Sequence, residues 1–175
     1  MLSVNDIVVY GTEGACEITG ITRRDLGAGM TEYYVLRPVY RRETTVFVPA
    51  GNKTLTGRMR RLLSAEEIEE IIQEMPGEDG IWIQDENERK ARYREILAEG
   101  DSRKLVRMIK TLYLHQKQQA AKGRKLHLAD ERAFKEAERM LYDQFAIALH
   151  MKPDEVLPFI IGRIEGGSGE GREKQ

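Results

Sequence analysis

The sequence predicts an α+β protein, with a small β-barrel over residues 1–63 and a compact all-α helical domain over 64–165. Three observations predict it. The chain opens on a run of period two, Val4 to Ile21, broken by a turn between Gly11 and Gly14. About five short β-rich segments are then crowded into the first 60 or so residues, which suits a strongly bent barrel whose closure removes sticky edges. At Ser64 the hydrophobic period changes from two to about 3.6, the signature of helices packed on one face.

Within the barrel, Ile7 to Tyr10 alternates sides, and Gly11 and Gly14 supply a turn where positive φ costs little. The second strand ends near Arg24, and Leu26-Gly27-Ala28-Gly29 turns the chain into a third, Thr31–Pro38. Thr44–Pro49 is a fourth, with Pro49 at its end, where a missing donor is tolerated. The segment from Thr54 to Arg58 is the candidate closing strand. After it, Ser64 and Glu67 form a capping box for a helix buried through Ile68, Ile71, Ile72 and Met75 and stopped at Pro76-Gly77. Further helices are expected over Asn87–Ala98 and Ser102–Ala121, the latter turning Leu105, Met108, Ile109 and Leu112 inward. A fourth is capped by Asp130 and carries Phe134, Ala137, Leu141, Phe145 and Leu149. The fifth opens at Pro153 and is bent early by Pro158. Residues 166–175 (GGSGEGREKQ) read as a disordered tail.

Composition excludes several classes. Of 175 residues, 33% are charged and 41% hydrophobic, and no apolar run approaches the roughly 18 residues of a membrane span. The first residues lack the basic region and apolar core of a secretory signal. Cys16 is the only cysteine, so no internal disulfide exists, and a cytoplasmic setting is expected. In its strand Cys16 reads as a small buried hydrophobe. No phosphate-binding glycine loop is present, and His115, His127 and His150 are too scattered for a metal cluster. No nucleophile, base and orienting group converge, so no catalysis, cofactor or metal is expected.

The net charge of −1 hides an alternation. Residues 1–63 carry nine Lys/Arg against six Asp/Glu, residues 64–99 four against twelve, and residues 100–127 eight against one. Such alternation gives either separate faces for separate partners or an acidic helix paired with a basic one. In the third helix, Arg103, Arg107, Lys110 and Lys117 span about 80° of arc, and Lys122, Arg124 and Lys125 extend that stripe. The stripe reads either as a solvated face paired with the acidic helix or as a phosphate-contacting element. Arg89, Lys90, Arg92 and Arg94 form a second basic cluster. Trp82, the single tryptophan, reads as a packed anchor or as a wedge at a DNA distortion.

Over about residues 3–162 the pattern resembles the CarD-like family of bacterial transcription regulators. The resemblance rests on Val4-x-Asp6-x-Val8-Val9-Tyr10, the Gly14 turn, Glu32-Tyr33-Tyr34-Val35-Leu36 and Thr45-Val46-Phe47-Val48-Pro49. It continues through Asn52, Gly57 and Arg60, one Trp after the first helix, Gly100-Asp101, and Ala137-Glu138-x-x-Leu141. It implies a Tudor-like barrel that binds the RNA polymerase β subunit, and a helical domain that touches promoter DNA at the upstream edge of the bubble, without sequence specificity. A non-enzymatic role follows, in which the equilibrium between closed and open promoter complexes is shifted. The polymerase-binding positions it implies are Arg24 and Phe47, the latter standing where one branch of the family has arginine; the exposed strand edge bearing Arg24, Arg37 and Phe47 is the expected polymerase-binding surface. Trp82 matches the wedge tryptophan by order, with Gln84, Asp85 and Glu86 where basic residues follow it in relatives. The DNA-contacting set is then Trp82, Arg89, Lys90, Arg92, Arg103, Arg107, Lys110 and Lys117. An adaptor that docks on polymerase without touching DNA is the alternative.

Overall fold

The structure, a computed structural model, describes residues 2–77 and 82–170, with side chains described as far as Ile164. Two compact units divide between Leu62 and Leu63.

The first unit is a five-stranded antiparallel sheet: β1 (Ile7–Tyr10), β2 (Ala15–Asp25), β3 (Met30–Pro38), β4 (Val46–Pro49) and β5 (Met59–Arg61). A 3-10 turn over Gly11–Glu13 links β1 to β2 and ends at Gly14, whose φ of 72° is open to glycine at no steric cost. Strand order is β4-β3-β2-β1-β5. Val8 and Met59 from one end share a core with Leu36 and Val48 from the other, as a strongly curled sheet requires. Cys16 and Ile18 complete that core without exposed surface.

The closing element differs from expectation. Residues 53–56 form a short helix, α1 (Lys53–Thr56), because the Asn52 side chain accepts from the Thr54 and Leu55 amides, both at 3.1 Å. Strand β5 follows it and pairs with β1, while no ladder joins β5 to β4 among the described residues. Leu55 of α1 packs on the core instead.

The second unit contains α2 (Ala65–Glu74), α3 (Glu86–Glu99), α4 (Ser102–Ala121), α5 (Leu128–Ala148) and α6 (Pro153–Glu170). Ser64 and Glu67 make the reciprocal capping box that starts α2. Gly100, at φ 69°, closes α3 by donating its amide to Ile96 O, and Asp101 caps α4 at once. Helix α5 packs against α3, α4 and α6, with Phe145, Met140 and Ala137 fully buried. Ile68 and Ile72 of α2, Leu105 and Leu112 of α4 and Val156 of α6 close the same core. Ile109 is only partly buried.

Two readings of this unit are corrected. Asp130 does not cap α5: the N-cap is His127, and Asp130 lies one turn inside, 1% exposed, paired with α3. The tail expected from Gly166 is helical as far as Glu170, and 171–175 lie outside the described residues. Helix α6 continues through Pro158. Residues 78–81, which precede Trp82, also lie outside the described residues.

Candidate functional site

In the barrel unit, the outward face of β2–β3–β4 is built by an irregularity. Cys16 and Ile18 point into the core, and strict alternation would send Gly20, Thr22 and Arg24 inward too. The β2–β3 register slips between Ile18 and Gly20, so that Ile18 opposes Leu36 while Gly20 already opposes Val35. One extra residue reverses the facing of everything beyond it. Arg24, paired with Thr31, therefore shares a face with Tyr33, Val35 and Arg37 of β3 and with Phe47, which opposes Val35.

On that face the Arg24 guanidinium lies 5.3 Å above the Phe47 ring, and Phe47 meets Tyr33 edge-on at 6.2 Å. A cation over an aromatic face gains about 0.5–1 kcal/mol where exposed. Phe47 thus supports Arg24 by its ring, where an arginine would repel it. Tyr33 is buried beneath, and sequence reasoning missed it because its neighbour Tyr34, which packs on the core side, is chemically indistinguishable. Arg37 is exposed further along β3, opposite Glu17. The three positions differ in their relation to the strand edges. Phe47 belongs to the edge strand β4, Arg24 lies on β2 beyond Ala15–Glu17, the stretch that β1 pairs with, and Arg37 lies in β3 opposite Glu17. Cys16 is no part of the site: burial pushes its thiol up to about 12, so it carries no thiolate near neutrality.

In the helical unit, Arg89 corrects its expected role. It is 6% exposed, and its Nε and Nη2 donate to the two Asp130 carboxylate oxygens at 2.8 and 3.2 Å. Its Nη1 donates to the carbonyls of Ile83 and Gln84, tying the segment before α3 to that helix. A buried guanidinium with four of its five N–H groups so used is not available to grip a phosphate. Tyr93 donates its hydroxyl to Asp130 at 2.8 Å. Burial pushes the Asp130 carboxyl up, but the hydrogen bonds from Arg89 and Tyr93 outweigh it and hold the group below its usual range. The bond to Asp130 raises Arg89 in turn, and burial raises the Tyr93 phenol.

Two side chains lie against the Trp82 ring: the Arg89 guanidinium, 4.5 Å from its centre, and the His115 ring, stacked on it at 3.5 Å and 11°. Burial lowers the His115 pKa. Trp82 remains partly accessible and packs on the helical core. This cluster was not legible, because residues 82, 89, 93, 115 and 130 come from four segments without common spacing.

The remaining basic positions separate into groups. Arg103 pairs with Glu74 and Glu70 of α2, and Lys110 donates to the Met75 and Pro76 carbonyls at the end of that helix. Lys90 and Arg92 pair along α3 with Glu86 and Glu95. Arg107 and Lys117 are exposed on α4, with Lys117 over the Tyr113 ring. Lys122, Arg124 and Lys125 are exposed in the α4–α5 connection.

Among the described residues no helix is long and apolar enough to cross a membrane, and no three His, Cys, Asp or Glu groups converge as metal ligands. No curated protein matches the chain. Residues 2–63 match the family model described as the CarD-like/TRCF RID domain, and that stretch coincides with the barrel unit. Residues 2–63 are thus a CarD-like/TRCF RID domain, a module of transcription-related, RNA polymerase-interacting proteins.

Proposed function

We propose that the protein is a cytoplasmic, non-enzymatic regulator that docks on the RNA polymerase β subunit through the outward barrel face and modulates the lifetime of the open promoter complex. The observation that carries the reading is the match over residues 2–63, falling on a unit whose outer face bears Arg24 braced on Phe47. Arg24 and Phe47, with Arg37 beside them, form the docking surface. The aromatic platform keeps Arg24 oriented before binding, which reduces the ordering cost of association.

The helical unit then touches promoter DNA near the upstream bubble edge through phosphates. Lys117, Lys122, Arg124 and Lys125, exposed at one end of α4 and in its following loop, suit that role better than Arg103 and Lys110, which are engaged with α2. Trp82 acts as a flat side wall rather than a free wedge, since its ring is engaged by both Arg89 and His115. The adaptor reading keeps one supporting observation, the burial of Arg89 away from any ligand.

The deciding experiment is polymerase pull-down by the full chain together with open-complex lifetime. Arg24→Glu and Phe47→Ala should each weaken capture about tenfold or more with little change in melting temperature, as surface changes usually shift stability by under about 0.5 kcal/mol. Unaltered capture by both variants would place the interface elsewhere. Full capture with no effect on complex lifetime at any salt concentration would favour the adaptor.

A further inference from the structure

Helices α3 and α5 lie side by side and leave between them a groove of about 310 Å³. Each helix lines it with one face at the same spacing: Lys90, Tyr93, Arg94 and Leu97 from α3, and Ala129, Arg132, Ala133 and Glu136 from α5. The floor is apolar. Leu97 and the Tyr93 ring form one wall, and the two alanines keep the opposite wall low.

The rim is cationic. Lys90 is held by Glu86, but neither Arg94 nor Arg132 has an ion-pair partner among the described residues, and both are exposed. Glu136, the one acid on the lining, is occupied by Arg139. The floor is also held rigidly, because the Tyr93 hydroxyl is tied to Asp130 and the Arg89–Asp130 pair fastens α3 to α5 beneath it. A preformed trough loses little freedom when filled.

We propose that this groove is a second protein-docking surface, distinct from the barrel face, and that it receives an amphipathic acidic helix of a partner protein. Helix-in-groove recognition reads apolar side chains at positions three and four apart, and two parallel rows of that spacing line this trough. Carboxylates on either flank of such a helix would meet Arg94 and Arg132 in the bidentate geometry that guanidinium favours. A nucleic acid backbone would satisfy the two arginines but has no apolar side group for the floor.

The probe is a blocked, labelled peptide of about 16 residues, enough for marginal helicity, with a leucine stripe and glutamate elsewhere. It is titrated by fluorescence anisotropy against the full chain, beside its lysine-for-glutamate counterpart and a DNA duplex. Saturable binding of the acidic peptide, weakened about tenfold or more by Arg94→Glu with Arg132→Glu and also by the uncharged blocker Ala129→Trp, is the expected result. The double variant should melt as the parent does, since it breaks no ion pair. The proposal is overturned by equal binding of the acidic and basic peptides, by acidic-peptide binding that ignores these substitutions, or by no binding at all. Duplex binding abolished in the double variant, without peptide binding, would make the groove a nucleic-acid surface instead. Concentration-dependent self-association of the parent, abolished by the same variants, would assign it to a second copy of the chain.

Discussion

Arg89 illustrates how much one side chain can organise. It joins α3 to α5 through Asp130, holds the carbonyls of Ile83 and Gln84, and covers one face of Trp82. Removing one partner of a buried pair strands the other's charge, at about 3–5 kcal/mol. Arg89→Ala should therefore lower the stability of the helical unit by that order in chemical denaturation, and a loss below about 1 kcal/mol would deny it this role. The carboxyl of Asp130 is depressed in the fold, so its contribution is complete above the unfolded carboxylate value of roughly 4 and is lost as pH falls through the lower folded value. His115 acts at higher pH. Its folded pKa is also lowered, so the unfolded chain takes up the proton first, and stability declines as pH falls through about 6.5. Trp82 is the only tryptophan, so its fluorescence should follow the protonation of the stacked ring at an apparent pKa below about 6.5. His115→Gln should abolish that titration while the acid transition below about pH 4 remains.

Helix α4 shows that a stripe seen on a helical wheel is not a single surface. Four cations fall within a narrow arc, yet Arg103 and Lys110 face the acidic helix α2, and Lys110 also satisfies carbonyls left open at that helix's end. Exposed pairs of this kind contribute about 0–1 kcal/mol. Arg103→Gln with Lys110→Gln should accordingly cost no more than about 2 kcal/mol and leave the salt dependence of promoter association unaltered. Replacing Lys117, Lys122, Arg124 and Lys125 by glutamine should instead flatten that dependence, the slope falling by about 0.9 for each phosphate no longer neutralised. If the first pair alters the slope and the second set does not, the proposed division between α2-facing and DNA-contacting cations is reversed.

At the scale of the whole molecule, the change of period at Ser64 was legible because two hydrophobic repeats, two and about 3.6, do not resemble each other. The cap at Ser64 was legible for a similar reason, since a capping side chain acts within three residues of its own position. What could not be read depends on partners far apart in the chain. The Arg89–Asp130 pair spans 41 residues, and both members had plausible local roles, one on a basic helix face and one as a helix cap. The proposed docking face was legible as residues, not as a surface, because the register slip that unites them lies elsewhere, near Thr19. The fifth strand was displaced by Asn52, whose capping bonds turned the expected strand into a helical turn. With Trp82 and five longer helices all in the second unit, both fluorescence and helical circular dichroism report that unit. Acidification from about pH 7 to about pH 4 should lower its unfolding transition while amide exchange in β2 and β3 remains slow. Simultaneous loss of both would contradict an acid sensitivity that rests, in this window, on His115.

The slip between Ile18 and Gly20 gives the barrel's outer face one residue in reserve. Deleting Thr19, an exposed residue, would set Gly20 directly after Ile18, and unbroken alternation would then keep Gly20 opposite Val35 and Arg24 opposite Thr31, on the outer face. Inserting one residue between Gly20 and Arg24 acts in the other direction. With the ladder held at Gly20 and Val35, Arg24 would move opposite Met30 and turn toward the side occupied by Cys16 and Ile18. The Phe47 ring would lose its cation, although neither arginine nor phenylalanine had been altered. In this strand a frame-preserving gain of a single codon is a mutation of the surface, felt several residues away, and substitution scanning would never detect it.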